Sequence, residues 1–285
     1  MSKYKLNILL LVPFFWGISA TVHAETDSRQ FVEMPEMMQQ HQLANMRDHL
    51  AAINEILLNM GNNDLDKAAE IAESRLGMSS LTTHNASHMA QFLPKEMAAI
   101  GTSMHKAASQ FALKAEEGEA LPAYQALQKV TAACVACHTS YKTSPPTENK
   151  DHKIHHNTAD ENKDKSKTDQ RISLGFTPNE KAVFLIEMRE MLNSIQGIIA
   201  GIGNNDPEQI IKAARYSGNR MARETPESIK QKTPKAFKEI GHPTHMMFEE
   251  LVIRAESDDM ESLTDFTGEL MKNCIACHAI FKASD

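Results

Sequence analysis

The 285-residue chain is poor in the residues that staple or crowd small folds: four cysteines, one tryptophan, and aromatics at only 6%. All four cysteines lie in two five-residue stretches, so none remains for a structural disulfide and a disulfide-held fold is excluded. Positive charge is also short. Thirty Lys and Arg against 37 Asp and Glu leave −7, and loss of Lys3 and Lys5 with an N-terminal leader would make it −9. Nucleic acid is therefore a poor partner, and a basic face on another protein a better one. The longest apolar run, Ile8 to Ile18, is too short for a comfortable membrane span. No stretch alternates as a strand, and Ala, Leu, Met, Glu and Lys dominate what is left, a composition that favours helix.

The beginning of the chain has the pattern of an export signal. Lys3 and Lys5 precede the apolar run, and Val22-His-Ala24 places small residues at the cleavage positions, so residues 1–24 are expected to be removed after Ala24. The mature chain is then expected in the periplasm, without stable membrane insertion.

Beyond the leader, one pattern of residues occurs twice. Leu43, Met46, Arg47, Leu50, Ile53, Leu57 and Gly61-Asn-Asn-Asp64 recur 142 positions later as Leu185, Met188, Arg189, Leu192, Ile195, Ile199 and Gly203-Asn-Asn-Asp206. Pro94-Lys95, Ile100-Gly101 and His105 recur at an offset of 140, as Pro234-Lys235, Ile240-Gly241 and His245. A duplicated domain explains both series, with two residues lost between Asp64 and Pro94, expected in the loop joining the second and third helices. Each copy reads as four helices. Leu43, Met46, Leu50, Ile53, Leu57 and Met60 make one apolar stripe, stopped by Gly61-Asn-Asn. Asp64 and Asp206 cap the second helix, and Asp258 with Glu261 suggests a capping box for the last. Between the copies, Thr143 to about Leu174 is rich in Pro, Lys, Asp and Asn with almost nothing apolar, a flexible linker that cannot repay the entropy of ordering. Its His152, His155 and His156 are read as part of a solvated tether.

The chemistry lies in Cys134-Val-Ala-Cys137-His138 and Cys274-Ile-Ala-Cys277-His278. Residues three and four apart share a helix face, so two thiols can bond a porphyrin's vinyl groups while the next imidazole reaches its iron. A lone CxxC is also found in redox dithiols and zinc sites. His after both pairs, in an exported chain, points to two covalently bound haem c groups.

Four antiparallel helices with CxxCH near the end of the last resemble the class II cytochromes c, the cytochrome c′ family. The resemblance rests on Cys134, Cys137, His138 and Tyr141 in one copy and Cys274, Cys277, His278 and Phe281 in the other, and covers residues 33–142 and 176–283. Lys142 and Lys282 stand where the family has Arg, keeping the charge but not the planar fork. The resemblance implies an all-α fold of two tandem four-helix bundles, with the linker spanning 143–175. It implies His138 and His278 as proximal iron ligands, with the first helix facing the other side of each haem.

What stands on that helix decides the chemistry. Met46 and Met188 occupy a position resembling the distal Met of the low-spin, electron-carrying members. A Met in an apolar stripe is ordinarily core filling. Here the Met recurs, whereas Met60, Met97 and Met104 are matched by Ile202, Phe237 and Thr244. His105 and His245 also recur and are the rival ligands, although they lie beside the third-helix stripe. His49 is matched by Met191, and the loop bearing His84, His88 and Met89, read as polar, has no counterpart, so the two haems are expected to differ. The resulting expectation is a periplasmic dihaem cytochrome, not an enzyme, that moves single electrons between redox proteins. The alternative is a five-coordinate binder of NO or CO. The bundles are expected to pair within the chain or between two chains.

Overall fold

The computed structural model describes residues 27–143 and 169–283. The expected export leader and the linker histidines lie outside them. The described residues are mostly helical. In the first repeat, β1 (Gln30–Val32) leads into α1 (Glu36–Gly61), α2 (Leu65–Arg75), a 3-10 turn at Met78–Leu81, α3 (Ala86–Met89), α4 (Lys95–Glu116), α5 (Ala120–Ser140) and β2 (Tyr141–Thr143). The second repeat runs β3 (Ile172–Ser173), α6 (Pro178–Asn204), α7 (Pro207–Tyr216), α8 (Asn219–Glu224), α9 (Glu227–Lys232), α10 (Lys235–Arg254), α11 (Met260–Ile280) and β4 (Phe281–Lys282).

Local chemistry sets these boundaries. Asp64 and Asp206 cap α2 and α7, accepting from the backbone N–H of Lys67 at 3.0 Å and Gln209 at 3.1 Å. At the start of α6, Thr177 and Glu180 form a reciprocal capping box with Pro178 at the first helical position. The cap of α11 is Asp259, which accepts from Ser262 N at 2.7 Å. Asp258, expected in that role, instead pairs with Arg254 at 2.7 Å. The two missing residues of the second repeat are also placed. The offset falls from 142 at Asp64/Asp206 to 141 at Gly77/Gly218 and 140 at Pro94/Pro234, so one is lost in helix two and only one in the loop.

The helices of the two repeats pack on one another. Beside its sequence neighbour α2, α1 lies against α11 of the other repeat, and α5 lies against α4 and α6. Along α1 and α11, Leu58 meets Gly268 and Gly61 meets Asp265, an antiparallel pairing. Gly61 has no alternative here, because a Cβ would fall 2.6 Å from Asp265 Cβ and 2.7 Å from its Cα. Asn54, buried in the same seam, donates from Nδ2 to Gly268 O at 2.5 Å. One continuous apolar interior takes in Ile56, Leu57, Phe111 and Leu127 from the first repeat and Ile198, Ile199, Phe248, Leu263 and Leu270 from the second. Each such side chain contributes roughly 1.5–3 kcal/mol by leaving water.

Two parallel strand pairs tie the entry of each repeat to the end of its own last helix. Gln30 sits opposite Tyr141, and Ile172 opposite Phe281. Two or three residues carry no periodicity, so these strands leave no signal in the sequence. β1 precedes residue 33, and β3 lies within the stretch whose composition suggested linker.

Candidate functional site

Each CxxCH lies in the last two turns of a long helix, α5 or α11, two residues before its short strand. The four thiols are unpaired and half-buried. Cys137 packs with Val32, Met34, Met38, Met89, Met97 and Tyr141, whereas Cys277 packs with Leu174, Phe176, Phe184, Ile229 and Phe281. Cys134 and Cys274 border the shared interior. Burial, and for each of these two the neighbouring Cys of its motif, pushes their thiols up to about 12; burial alone pushes Cys277 up to about 11 and raises Cys137 as well. Protonated thiols bordering an apolar wall suit a covalently held hydrophobic group and disfavour a reactive thiolate pair. Because Cys137 and Cys277 join different clusters, the two motifs do not pool their thiols as a four-thiolate zinc site requires.

His138 and His278 are exposed, as an imidazole must be to reach a group lying outside the helix. Even so, desolvation by the protein around each ring lowers its pKa. Arg29, His278 and Arg189 act in the same direction on His138, and Arg171 and Arg47 on His278. Both rings are thereby kept neutral, the form that binds iron. These neighbours interleave the repeats at the site. Arg189 comes directly after the candidate Met of the second repeat but bears on the first motif, and Arg47 does the converse.

The strand pairs bring a clamp to each motif. Arg29 donates to the carbonyls of His138 and Tyr141, both at 3.5 Å, and holds the Asp27 carboxylate at 2.8 Å. In the second repeat Arg171 donates to His278 O at 3.4 Å and Phe281 O at 3.5 Å, and holds Asp169 at 2.8 Å. Lys142 and Lys282 complete these networks, at 3.2 Å from Asp27 and 3.7 Å from Asp169. The planar fork absent after the aromatic is thus supplied from the other end of the repeat. Sequence reasoning missed these residues, although Asp27/Asp169 and Arg29/Arg171 keep the 142 offset and were open to detection by running the repeat backward.

The distal candidates fall into distinct settings. Met188 is half-buried and packs in the cluster that contains Cys277. Met46 is also half-buried but joins none of the apolar clusters, so neither Met is fully buried core filling. Beside Cys137 stand other methionines, Met38, Met89 and Met97, at 3–6% exposure. His105 and His245 have a structural task that explains their recurrence. Each donates from Nδ1 at 2.7 Å to a carbonyl just past helix two, Leu76 O or Ser217 O. They are therefore drawn into the packing between helices rather than left beside it, and His105 is buried. The loop read as polar is corrected likewise: His84 and Met89 are buried, leaving His88 exposed.

The donor set fits haem c at both motifs: paired thiols on one helix face, a neutral exposed imidazole beside them, and an apolar wall. No family model, curated protein or solved structure matches the chain.

Proposed function

We propose that this chain is an exported dihaem c-type cytochrome that passes single electrons between redox proteins. Cys134, Cys137, Cys274 and Cys277 would carry the thioether bonds. His138 and His278, together with Met46 and Met188, would hold the iron. Each repeat is read as a cytochrome c′-like bundle of four principal helices. The observation that carries the reading is the recurrence, at the ends of α5 and α11, of the same donor set in the same setting of apolar wall, exposed neutral imidazole and Asp–Arg clamp.

Haem held by these residues would supply one-electron chemistry with little rearrangement. The chain's own residues then have separate tasks. The clusters around Cys137 and Cys277 would keep water from the group, and the Arg29 and Arg171 clamps hold the backbone that bears each imidazole. The acidic balance favours partners with a basic docking face.

Pyridine haemochrome spectra should count two haems per mature chain, both resistant to acid–acetone extraction. Met46→Ala and Met188→Ala should each convert one haem to high spin. High-spin spectra and rapid CO uptake by both haems of the unaltered protein would instead identify a five-coordinate gas binder, and absence of covalent haem would overturn the reading entirely.

A further inference from the structure

Three imidazoles meet inside the first repeat. His49 on α1, His84 in the segment between α2 and α3, and His105 on α4 are each 8–9% exposed. Their ring centroids are 4.7 Å apart for His49 and His84, 5.8 Å for His49 and His105, and 5.6 Å for His84 and His105.

The hydrogen bonds assign the protons. A carbonyl only accepts, so His105 carries its hydrogen on Nδ1 toward Leu76 O, and its Nε2 holds a lone pair. Ser80 gives its hydroxyl proton to Gly77 O at 2.7 Å, so it accepts from His84 Nδ1 at 3.3 Å, and His84 Nε2 also holds a lone pair. His49 Nε2 is buried with no hydrogen-bond partner. Buried polar atoms are almost always satisfied, so an orphan beside two lone-pair nitrogens calls for a shared partner. A positively charged ion satisfies all three.

The spacing agrees with this. Imidazoles bound tetrahedrally at a zinc–nitrogen distance of about 2.0–2.1 Å place their ring centres about 5 Å from one another, and the observed triangle brackets that separation. Hydrogen bonds from Nδ1 to a carbonyl and a hydroxyl are also the outer contacts that orient a metal-binding imidazole. The His84 backbone is itself held, its carbonyl accepting from His41 Nε2 at 2.9 Å and Asn45 Nδ2 at 3.3 Å. Among the described residues no three donors already converge on one point. Closing the site takes rotation of the His49 ring, whose Nε2 has no partner to lose, about its Cβ–Cγ bond, a broad torsion, while His84 and His105 keep their Nδ1 contacts.

We propose that His49, His84 and His105 form a three-histidine site for a divalent cation of the borderline class, Zn²⁺ above all, in the first repeat alone. Burial holds all three rings in the neutral form that metals bind, most strongly at His49, which is pushed down to about 3 by burial and then by its two neighbours. Asp48, ion-paired with Arg75 at 2.6 Å, provides a nearby negative charge. The second repeat keeps only the helix-end histidine, His245, has Met191 in place of His49, and bonds Ser217 Oγ to Ser194 Oγ at 2.8 Å in its interior.

The test is zinc uptake by the mature chain with its haems attached, in a background where His152, His155 and His156 are changed to Asn so that they do not compete. Calorimetric titration with Zn²⁺, with zinc counted by mass spectrometry after gel filtration, should give one ion per chain and a higher melting temperature. His49→Met, which installs the residue found at the matching place in the second repeat, and His84→Gln should each weaken uptake at least 100-fold and abolish the thermal shift. His245→Gln should leave both unchanged. No stoichiometric uptake by the folded parent, or uptake equal in parent, His49→Met and His84→Gln, would overturn the assignment.

Discussion

Replacing Gly61 by Ala tests the seam between the repeats. The new Cβ would lie 2.6 Å from Asp265 Cβ and 2.7 Å from its Cα and N. Carbon atoms pack at about 3.5–4.0 Å, so α1 and α11 must part by about 1 Å, and two of the three obstructing atoms are backbone that no side-chain rotation removes. Such overpacking costs about 1–3 kcal/mol. Alanine's better helix propensity returns at most ~1 kcal/mol, leaving a net loss of up to about 2 kcal/mol once that is returned. For a chain of this size that lowers the melting temperature by up to about 8 °C. Gly101 is the matched control. It lies within α4 and a Cβ there meets nothing within 4 Å, so Gly101→Ala should stabilise by about 0.5–1 kcal/mol. Calorimetric melts of the two variants should therefore move in opposite directions. If Gly61→Ala raises the melting temperature as Gly101→Ala does, α1 does not press on α11 and the shared interior is refuted.

The clamps and a half-buried acid lead to three further outcomes. Arg29→Gln removes donors to His138 O and Tyr141 O, so amide exchange across Tyr141–Thr143 should quicken, with a stability loss of about 1 kcal/mol; unchanged exchange would show that the strand pair holds without it. Hydrogen bonds from Arg29 hold the Asp27 carboxyl below its usual range, so its contribution is present above about pH 4 and fades as pH falls. Asp27→Asn should accordingly cost about 1 kcal/mol at pH 7, after allowance for solvent screening, and progressively less in acid denaturation series toward pH 2. Burial lifts Glu187 to about 7, opposed by a hydrogen bond from Thr225 and assisted by Glu190. A raised carboxyl pKa favours the folded state below the ordinary value and loses that advantage as pH rises through 7. Glu187→Gln should therefore gain about 1–2 kcal/mol at pH 8, once its partial exposure is discounted, and little at pH 5; equal effects at both pH values would contradict this.

The two CxxCH motifs, the helical stripes and the caps at Asp64 and Asp206 were determined by residue identities over short distances, and the duplication by identities that recur at a fixed offset. Helix periodicity and capping depend on neighbours three or four positions away, so the string of residues contains them. Tertiary structure alone decided the rest. Which side of α1 meets which helix depends on apolar stripes that suit more than one partner, and the choice of α11 shows only where Gly61 and Gly268 permit close approach. Arg29 reaches His138 across 109 positions of sequence through strands too short to carry a period. His84 sits in a stretch whose composition is polar, yet its ring is buried against His49 and His105, because helices α1 and α4 close over it. Local sequence decided which side chains carry chemistry; the folding of distant segments onto one another decided which of them share a site.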